Sequence, residues 1–385
     1  MSLTTAAKTT KLAFVGIVVF ILVYFMGAFF LAPAAKNAWK AMFPPKNPPN
    51  PAFGLLEPIQ FEPQKILNTE SPKYTLFTSD GKLPANLPQR MKVYKYIKTP
   101  FSYEAGKRAA RNAETLGFSE DNLTTNLKGD VYTWVEPLTG ANLTIDTNTQ
   151  ELNLRTPQTS LTGKYPEGSM DRTSAKAIAK NVLQNIGRFS DPLYLRGSQE
   201  VNLGSVENGV IEYTSYAGEA EIGMVEFFRE IEDFPIVGPN HGRGLVRVYV
   251  GKKEVDRDAV GNVLIHPHIE YNVREIQTQT RATYPVIPVG TAWNQVIQDN
   301  AVISYVKPNT QSPFQEYKPV EIAEILVNDI SLAYYDDSEE QLYLQPVYVF
   351  EGNYIGPNNE KGSISLYYPA VSGEYVKQVE SEPLE

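Results

Sequence analysis

Residues 171–187 read DRTSAKAIAKNVLQNIG and give the clearest helix pattern in the chain. Asp171 suits an N-cap, apolar residues then recur every three or four positions, and Gly187 ends the pattern. The apolar stripe consists of Ala175, Ile178, Ala179, Val182, Leu183 and Ile186. A helix with one apolar stripe has to cover another apolar surface. We expect that surface to be a sheet formed by the strands that follow.

Strands are predicted on the carboxyl side of this helix, separated by Gly-rich turns. They are placed at 210–213, 224–231, 245–250 and 263–273. Together with the helix they predict an α+β module, a helix packed on an antiparallel β-sheet, at 166–285.

A similar unit precedes this module. Ser102 is a good N-cap, Ala105, Ala109, Ala113 and Leu116 have helical spacing, and Gly117 ends the pattern. Strands are predicted at 131–135, 143–145 and 152–154, with a turn at 146–150. Both helices end in similar sequences, LGFS and IGRFS, 70 residues apart. This similarity suggests a diverged repeat, with the first module at 66–165.

A third module is predicted at 286–385. Residues 291–299 can form a short helix, and strands are expected at 330–335, 342–350 and 363–368. Pro346 lies within the second of these strands and cannot donate a ladder hydrogen bond. We therefore expect that strand to be at a sheet edge or to carry a bulge.

The amino end carries a membrane signal. The 24 residues at 12–35, between Lys11 and Lys36, contain no charge. About 20 helical residues span the hydrocarbon layer, so this segment predicts a single transmembrane helix. A cleaved secretory signal is the alternative, but its apolar region is typically about 7–15 residues. The residues expected to contact lipid are Leu12, Phe14, Val18, Phe20, Leu22, Phe25, Phe29 and Leu31.

The orientation of this helix follows from the chain on its two sides. The positive charges before and after it are nearly balanced, so the positive-inside rule does not decide. Long domains are translocated largely regardless of flanking charge, and we place residues 1–11 in the cytoplasm and the larger domain outside the plasma membrane. Residues 36–65 are rich in proline and predict a stiff extended stalk.

Three stretches resemble a known type of protein. They read VEFFREIEDFPIVG (225–238), VGTAWNQVIQDNAVISYV (289–306) and ISLAYYDDSEEQLYLQPVYVFEG (330–352). This C-terminal half is similar to the strand–helix–strand blocks of PepSY-type and YycH/YycI-type extracytoplasmic domains. The resemblance implies a membrane-anchored bacterial protein that regulates a partner and is not an enzyme. It implies no particular site residues.

Metal binding and acid chemistry have two weak candidates. His266, His268 and Glu270 would share one face of a strand and suit zinc or iron, with His241 as a possible further ligand. An ordinary exposed strand face explains the same residues, and no metal or other cofactor is expected. Residues 336–340 read DDSEE and could bind calcium or act as paired acids. A solvated hairpin tip is the simpler interpretation.

Tyrosines are abundant in the last module. Tyr334, Tyr335, Tyr348 and Tyr354 could present flat rings to a glycan or peptide. The same residues fill sheet positions equally well, and packing is the favoured interpretation.

Composition excludes several functions. The chain has no cysteine, which rules out disulfides, thiolate catalysis and cysteine-ligated metals. Its 35 basic and 44 acidic residues give a net charge of −9, which argues against nucleic acid as a partner.

The sequence therefore predicts a single-pass protein with an extracytoplasmic domain that binds or regulates a membrane or envelope protein. Its other partner is the lipid bilayer itself. The alternatives are an envelope hydrolase that uses the acidic cluster and a structural component of the cell surface.

Overall fold

The computed structural model describes residues 49–97, 102–124, 129–189, 193, 197–252, 261–279, 282–337 and 341–378. The predicted membrane anchor at 12–35, with all eight of its lipid-facing residues, lies outside these ranges. No helix formed by the described residues has the length and apolarity needed to cross a membrane. The chain from Pro51 onward forms one unit by its internal contacts.

The described residues form four α-helices and eighteen β-strands, which confirms the predicted α+β class. The helices are α1 (Tyr103–Thr115), α2 (Arg172–Asn185), α3 (Gly261–Ile265) and α4 (Val289–Ile297). The strands are β1 (Lys73–Leu76), β2 (Arg90–Lys92), β3 (Tyr94–Lys95), β4 (Val131–Val135), β5 (Asn142–Asp146), β6 (Leu152–Arg155), β7 (Gln199–Glu207), β8 (Val210–Thr214), β9 (Ile222–Phe227), β10 (Arg229–Ile231), β11 (Phe234–Val237), β12 (Val246–Gly251), β13 (His268–Tyr271), β14 (Thr283–Pro285), β15 (Val302–Pro308), β16 (Glu324–Tyr335), β17 (Tyr343–Ile355) and β18 (Lys361–Pro369).

The two longest helices begin and end where the sequence predicts. The Asp171 carboxylate accepts hydrogen bonds from the backbone N–H groups of Thr173 and Ser174, at 2.8 and 2.9 Å, and so caps α2. Gly187 follows the helix with φ +70°, a conformation that glycine adopts at little cost. Ser102 caps α1 in the same way.

One eight-stranded sheet, which we call the helix-backed sheet, has the order β4-β5-β6-β13-β12-β9-β7-β8. All its neighbouring strands are antiparallel. Helix α2 packs on β7, β9 and β12, and α1 packs on β4. The sheet contains strands from both of the first two predicted modules. The boundary predicted at 165/166 therefore falls within a segment that connects strands of one sheet.

A glycine allows α2 to approach this sheet closely. A Cβ atom at Gly223 in β9 would lie 2.5 Å from the Cβ of Ala175 in α2. The contact is possible because neither residue carries more than one side-chain carbon.

The other eight-stranded sheet, the C-terminal sheet, has the central order β10-β11-β16-β17-β18-β15. Strand β1 adds to β16 in parallel, and β3 adds to β17. Helix α4 contacts β1 and β18. A separate two-stranded sheet pairs β2 with β14.

The two large sheets are joined where the sequence predicts a single strand at 224–231. The chain leaves the helix-backed sheet at Phe227 and enters the C-terminal sheet at Arg229. The main cluster of buried apolar side chains contains residues of both sheets, including Val248 and Phe350. A second predicted strand, 263–273, is also wrong in part, because residues 261–265 form α3.

Pro346 corrects another expectation, since β17 is a central strand. At Pro346 it pairs with Tyr334 of β16 only, because the pairing with β18 starts at Val347. The carbonyl of Pro346 still accepts a hydrogen bond from Ala370 N at 3.1 Å. The N–H group that Pro346 lacks is therefore at a position where β17 pairs with only one neighbouring strand.

The second half of the predicted stalk packs on the folded unit. Leu56 is fully buried and forms a bridge with Val376. The ring centroid of Phe61 lies 4.9 Å from that of Tyr335. The backbone of this segment is extended, as the prolines predict. Apolar side chains between the prolines pack it against the folded unit.

Candidate functional site

The two faces of the helix-backed sheet differ in chemistry. In β12 the alternating side chains of Val246, Val248 and Val250 are buried in the core on the side of α2. Because successive side chains of a strand point to opposite faces, Arg247 and Tyr249 lie on the other side. That face carries charged and polar side chains beside a separate buried apolar cluster, which includes Ile211, Met224 and Phe314.

A continuous row of polar residues crosses that face from strand to strand. Register pairs Glu200 with Glu226, Glu226 with Arg247, Arg247 with Glu270, and Glu270 with Asn153. Directly opposed side chains in antiparallel strands are close enough to interact. Arg247 thus stands between two carboxylates.

Hydrogen bonds and an ion pair join the central members of this row into what we call the charge ladder, made of Glu226, Arg247, Glu270 and His268. Nε of Arg247 lies 3.2 Å from Oε1 of Glu226, and its Nη1 lies 3.4 Å from Oε2 of Glu270. Nε2 of His268 lies 3.0 Å from Oε1 of Glu270. Glu226 also accepts a hydrogen bond from Gly244 N at 3.3 Å.

The ladder keeps Glu270 and Arg247 charged. Burial alone would raise the pKa of Glu270, but the hydrogen bond from His268 and the positive charge of Arg247 outweigh it and lower the pKa to about 2. Burial alone would lower the pKa of Arg247, and the two carboxylates reverse this effect and raise it. An ionised carboxylate and a guanidinium therefore face the solvent side of the sheet at neutral pH.

Around the charge ladder this face is open as a cleft, which we call the sheet cleft. It consists of two adjoining depressions of about 340 and 170 Å³ that share Arg243, Arg247, Pro313 and Gln315 in their walls. Tyr249 and Tyr305 add aromatic surface to the lining.

The roof of the sheet cleft comes from the segment that follows β15. The ring of Phe314 packs edge-on against Tyr249, with 5.7 Å between centroids. On the sheet side, Arg155 Nη2 lies 3.2 Å from Oε1 of Glu316 in the same segment. Strand β15 belongs to the C-terminal sheet, so both sheets are needed to form the cleft.

The low pKa of Glu270 argues against this residue as a general acid or base. A general acid needs a raised pKa at neutral pH, and an effective general base needs a pKa near the working pH. Glu270 has a pKa far below both requirements. Paired, hydrogen-bonded charges with aromatic surface beside them are well suited to fix the orientation of a polar ligand.

The weak candidates for metal ligands do not form a single group in the structure. His266 follows α3, its Nδ1 is buried, and burial lowers its pKa to about 4. His268 and Glu270 are paired with each other in the charge ladder. His241 instead contacts Glu351, with Nε2 2.9 Å from Oε1. In the described part of the chain, no three His, Cys, Asp or Glu side chains are grouped so that they could hold a metal ion.

The four tyrosines proposed as a binding face are buried, which corrects that hypothesis. Tyr334, Tyr335, Tyr348 and Tyr354 are at most 1% exposed. They lie in β16 and β17, the central strands of the C-terminal sheet, where rings are covered from both sides. The hydroxyl of Tyr348, for example, donates to Ile287 O at 2.7 Å. The alternative interpretation, sheet packing, is confirmed.

The acidic cluster is only partly described, and its first two members are not solvated. Asp336 and Asp337 are 1% and 3% exposed, whereas residues 338–340 lie outside the described ranges. Asp336 accepts hydrogen bonds from Arg229 and from the hydroxyl of Tyr96, at 2.9 and 2.8 Å. A hydrolase that used Asp336 would have to separate it from these partners.

The sequence analysis identified two members of the charge ladder but not Arg247 or Glu226. Both residues leave a signal in the sequence, because each is the single charge within an apolar run. Glu226 lies in GMVEFF and Arg247 lies in VRVYV. A lone charge in an apolar strand marks the face turned away from the core. Which strands are neighbours, and hence which charges meet, depends on long-range pairing.

Comparison with known proteins gives a distant structural match. The chain matches no family model and no curated protein sequence. One solved structure with some similarity is an uncharacterized protein from Eubacterium rectale ATCC 33656. The two are 11% identical, with a TM-score of 0.41, over 80% of this chain and 91% of that one.

Proposed function

We propose that the protein is a membrane-anchored binding protein with no catalytic activity of its own. In this proposal residues 12–35 span the plasma membrane, residues 1–11 are cytoplasmic, and the α+β unit lies outside the membrane. The uncharged length of the anchor segment supports this arrangement. The partner is a membrane or envelope protein, and binding to this protein regulates the partner.

The observation that carries the proposal is the charge ladder of the sheet cleft. Arg247 is held between Glu226 and Glu270, so basic and acidic groups alternate along the cleft. An extended polypeptide segment presents amide groups and charges of both signs, which such an alternating surface can match. The rings of Tyr249 and Phe314 offer apolar contact beside the charges.

Anchoring lowers the affinity that the cleft needs. Two proteins confined to one membrane meet at a high effective concentration, so a modest affinity is sufficient for occupancy. A shallow polar cleft is consistent with such a transient interaction.

The membrane arrangement is tested with single-cysteine variants, because the natural chain has no cysteine. We expect a membrane-impermeant maleimide to label Gln184→Cys, an exposed position of α2, in intact cells. Ser2→Cys should be labelled only after permeabilisation. The reverse pattern, or recovery of the full chain in the soluble fraction, contradicts the proposed topology.

Use of the cleft is tested by photo-crosslinking in native membranes. A photoreactive amino acid replaces Gln315, an exposed wall residue of the sheet cleft, and the matched control replaces exposed Gln184 on the helix side. We expect a discrete adduct with a membrane or envelope protein from position 315 only. Arg243→Glu in the cleft should weaken this adduct, whereas Arg172→Glu on α2 should not. Equal adducts from both positions contradict binding in the cleft.

A further inference from the structure

A second concave site lies on the opposite side of the helix-backed sheet. It is a groove of about 430 Å³ between α1 and the carboxyl end of α2, with Ile145 and Thr147 among the residues at its base. Ligand pockets commonly have volumes of about 300–1,000 Å³. We call it the arginine groove, after Arg108, Arg111 and Arg188 in its walls.

Two of these arginines are available to a ligand. Arg108 and Arg111 lie on the exposed surface of α1. Neither forms an ion pair with any residue that the structure describes. Their neighbour Lys107, in contrast, is paired with Glu104 at 3.0 Å. The guanidinium groups of Arg108 and Arg111 are therefore not engaged by carboxylates of the described chain.

The third arginine is held in a fixed position. Arg188 is buried, and its Nη1 donates a hydrogen bond to the carbonyl of Gln150. Its guanidinium carbon lies 4.7 Å from the centre of the Tyr271 ring, a cation–π contact. A positioned guanidinium loses less entropy when it binds a ligand than a mobile one does.

The charged residues that line the groove are all basic. None of the described residues in its lining is Asp or Glu, although the whole chain carries a net charge of −9. Nearby Asp146 accepts hydrogen bonds from Asn148 N and Thr149 N. The carbonyls at the end of α2 carry partial negative charge, but Gly187 N and Arg188 N already bond to two of them.

We propose that the arginine groove binds a phosphate-bearing ligand through Arg108, Arg111 and Arg188. Guanidinium groups recognise phosphate oxygens with paired N–H donors, and three of them match the several oxygens and charges of phosphate better than those of one carboxylate. The groove exceeds the size of a single phosphate, so a diphosphate or a phosphate ester fills it. The ligand is either a soluble phosphate compound or an anionic lipid headgroup, which share this chemistry.

The proposal is tested on the full-length protein in phosphatidylcholine nanodiscs. Pyrophosphate is titrated by calorimetry, with citrate as a probe whose charge is carried by planar carboxylates. We expect saturable binding of pyrophosphate, weaker binding of citrate, and a loss of affinity of about tenfold or more in Arg108→Gln/Arg111→Gln. The control Arg172→Gln, an exposed arginine outside the groove, should bind like the natural protein.

A second measurement identifies the source of the phosphate. Vesicles that contain phosphatidylglycerol are mixed with the protein in nanodiscs, and phosphatidylcholine vesicles serve as the comparison. Binding of pyrophosphate alone identifies a soluble ligand, and arginine-dependent capture of the phosphatidylglycerol vesicles identifies a lipid headgroup. If neither probe binds, if citrate binds as tightly as pyrophosphate, or if the double variant binds like the natural protein, the proposal is overturned.

Discussion

Arg229 and Asp336 are 107 residues apart in the sequence and form a fully buried ion pair, with Nη1 2.9 Å from Oδ2. The hydroxyl of Tyr96 donates to the other oxygen of Asp336, and Nη2 of Arg229 donates to the carbonyl of Arg274 at 3.3 Å. Arg274 follows β13 of the helix-backed sheet, whereas Arg229 lies in β10 and Asp336 directly follows β16, both strands of the C-terminal sheet. The ion pair therefore lies where the two sheets meet.

We expect Arg229→Met to destabilise the protein strongly. The substitution leaves the carboxylate of Asp336 buried without its guanidinium partner, and breaking such a pair costs about 3–5 kcal/mol. The measurement is the thermal unfolding midpoint of the full-length protein in mild detergent.

The double variant Arg229→Met/Asp336→Leu provides the matched comparison. It removes both buried charges, so it should be more stable than Arg229→Met alone. If the double variant is the less stable of the two, the ion pair does not account for the loss.

His266 should make folding sensitive to mild acid. Burial lowers its pKa to about 4 from an ordinary value of 6.5, so the unfolded chain binds a proton between these values and the folded chain does not. The contribution to stability is complete above pH 6.5 and is lost as the pH falls towards 4. The full shift corresponds to about 3 kcal/mol, and since the residue is half-buried we expect about 1–2 kcal/mol.

The variant His266→Gln tests this effect. Its unfolding midpoint should fall less between pH 7 and pH 4.5 than that of the natural protein. An NMR titration of the natural protein should show no protonation of His266 above pH 5. A midpoint for His266 near pH 6.5 contradicts the burial argument.

Glu270 should make the stability of the protein depend on pH in a lower range than His266 does. Its pKa is lowered to about 2 from 4.5, so its stabilising contribution is present above pH 4.5 and is lost as the pH falls towards 2. Glu270→Gln removes this contribution, and we expect its unfolding midpoint to depend less on pH between 4.5 and 2.5. The control Glu316→Gln changes an exposed carboxylate and should follow the natural protein. An unchanged pH dependence in Glu270→Gln shows that the ladder does not hold this charge.

Gly223 tests how closely α2 must approach the sheet. In Gly223→Ala the new Cβ would lie 2.5 Å from the Cβ of Ala175, and overpacking of this kind costs about 1–3 kcal/mol. Gly373→Ala is the control, since its Cβ meets no atom within 4 Å. Equal unfolding midpoints for the two variants contradict the close contact.

Local sequence signals predicted much of the fold. The caps at Ser102 and Asp171 and the glycines that follow α1 and α2 act within one or two helical turns. Strand alternation likewise depends on neighbouring residues, and the strands at 131–135 and 245–250 were placed to within a residue. For the candidate site, only His268 and Glu270 were named in advance.

Composition and pattern alone determined the uncharged segment at 12–35, the absence of cysteine, the α+β class and the two long helices. Tertiary structure decided that the strand predicted at 224–231 divides between two sheets, that Asp336 is buried, and that Phe314 roofs a cleft. The physical reason is the range of the interactions. Caps and alternation depend on residues a few positions apart. The pairing of β6 with β13 and the ion pair of Arg229 with Asp336 join residues more than a hundred positions apart, and no local pattern specifies them.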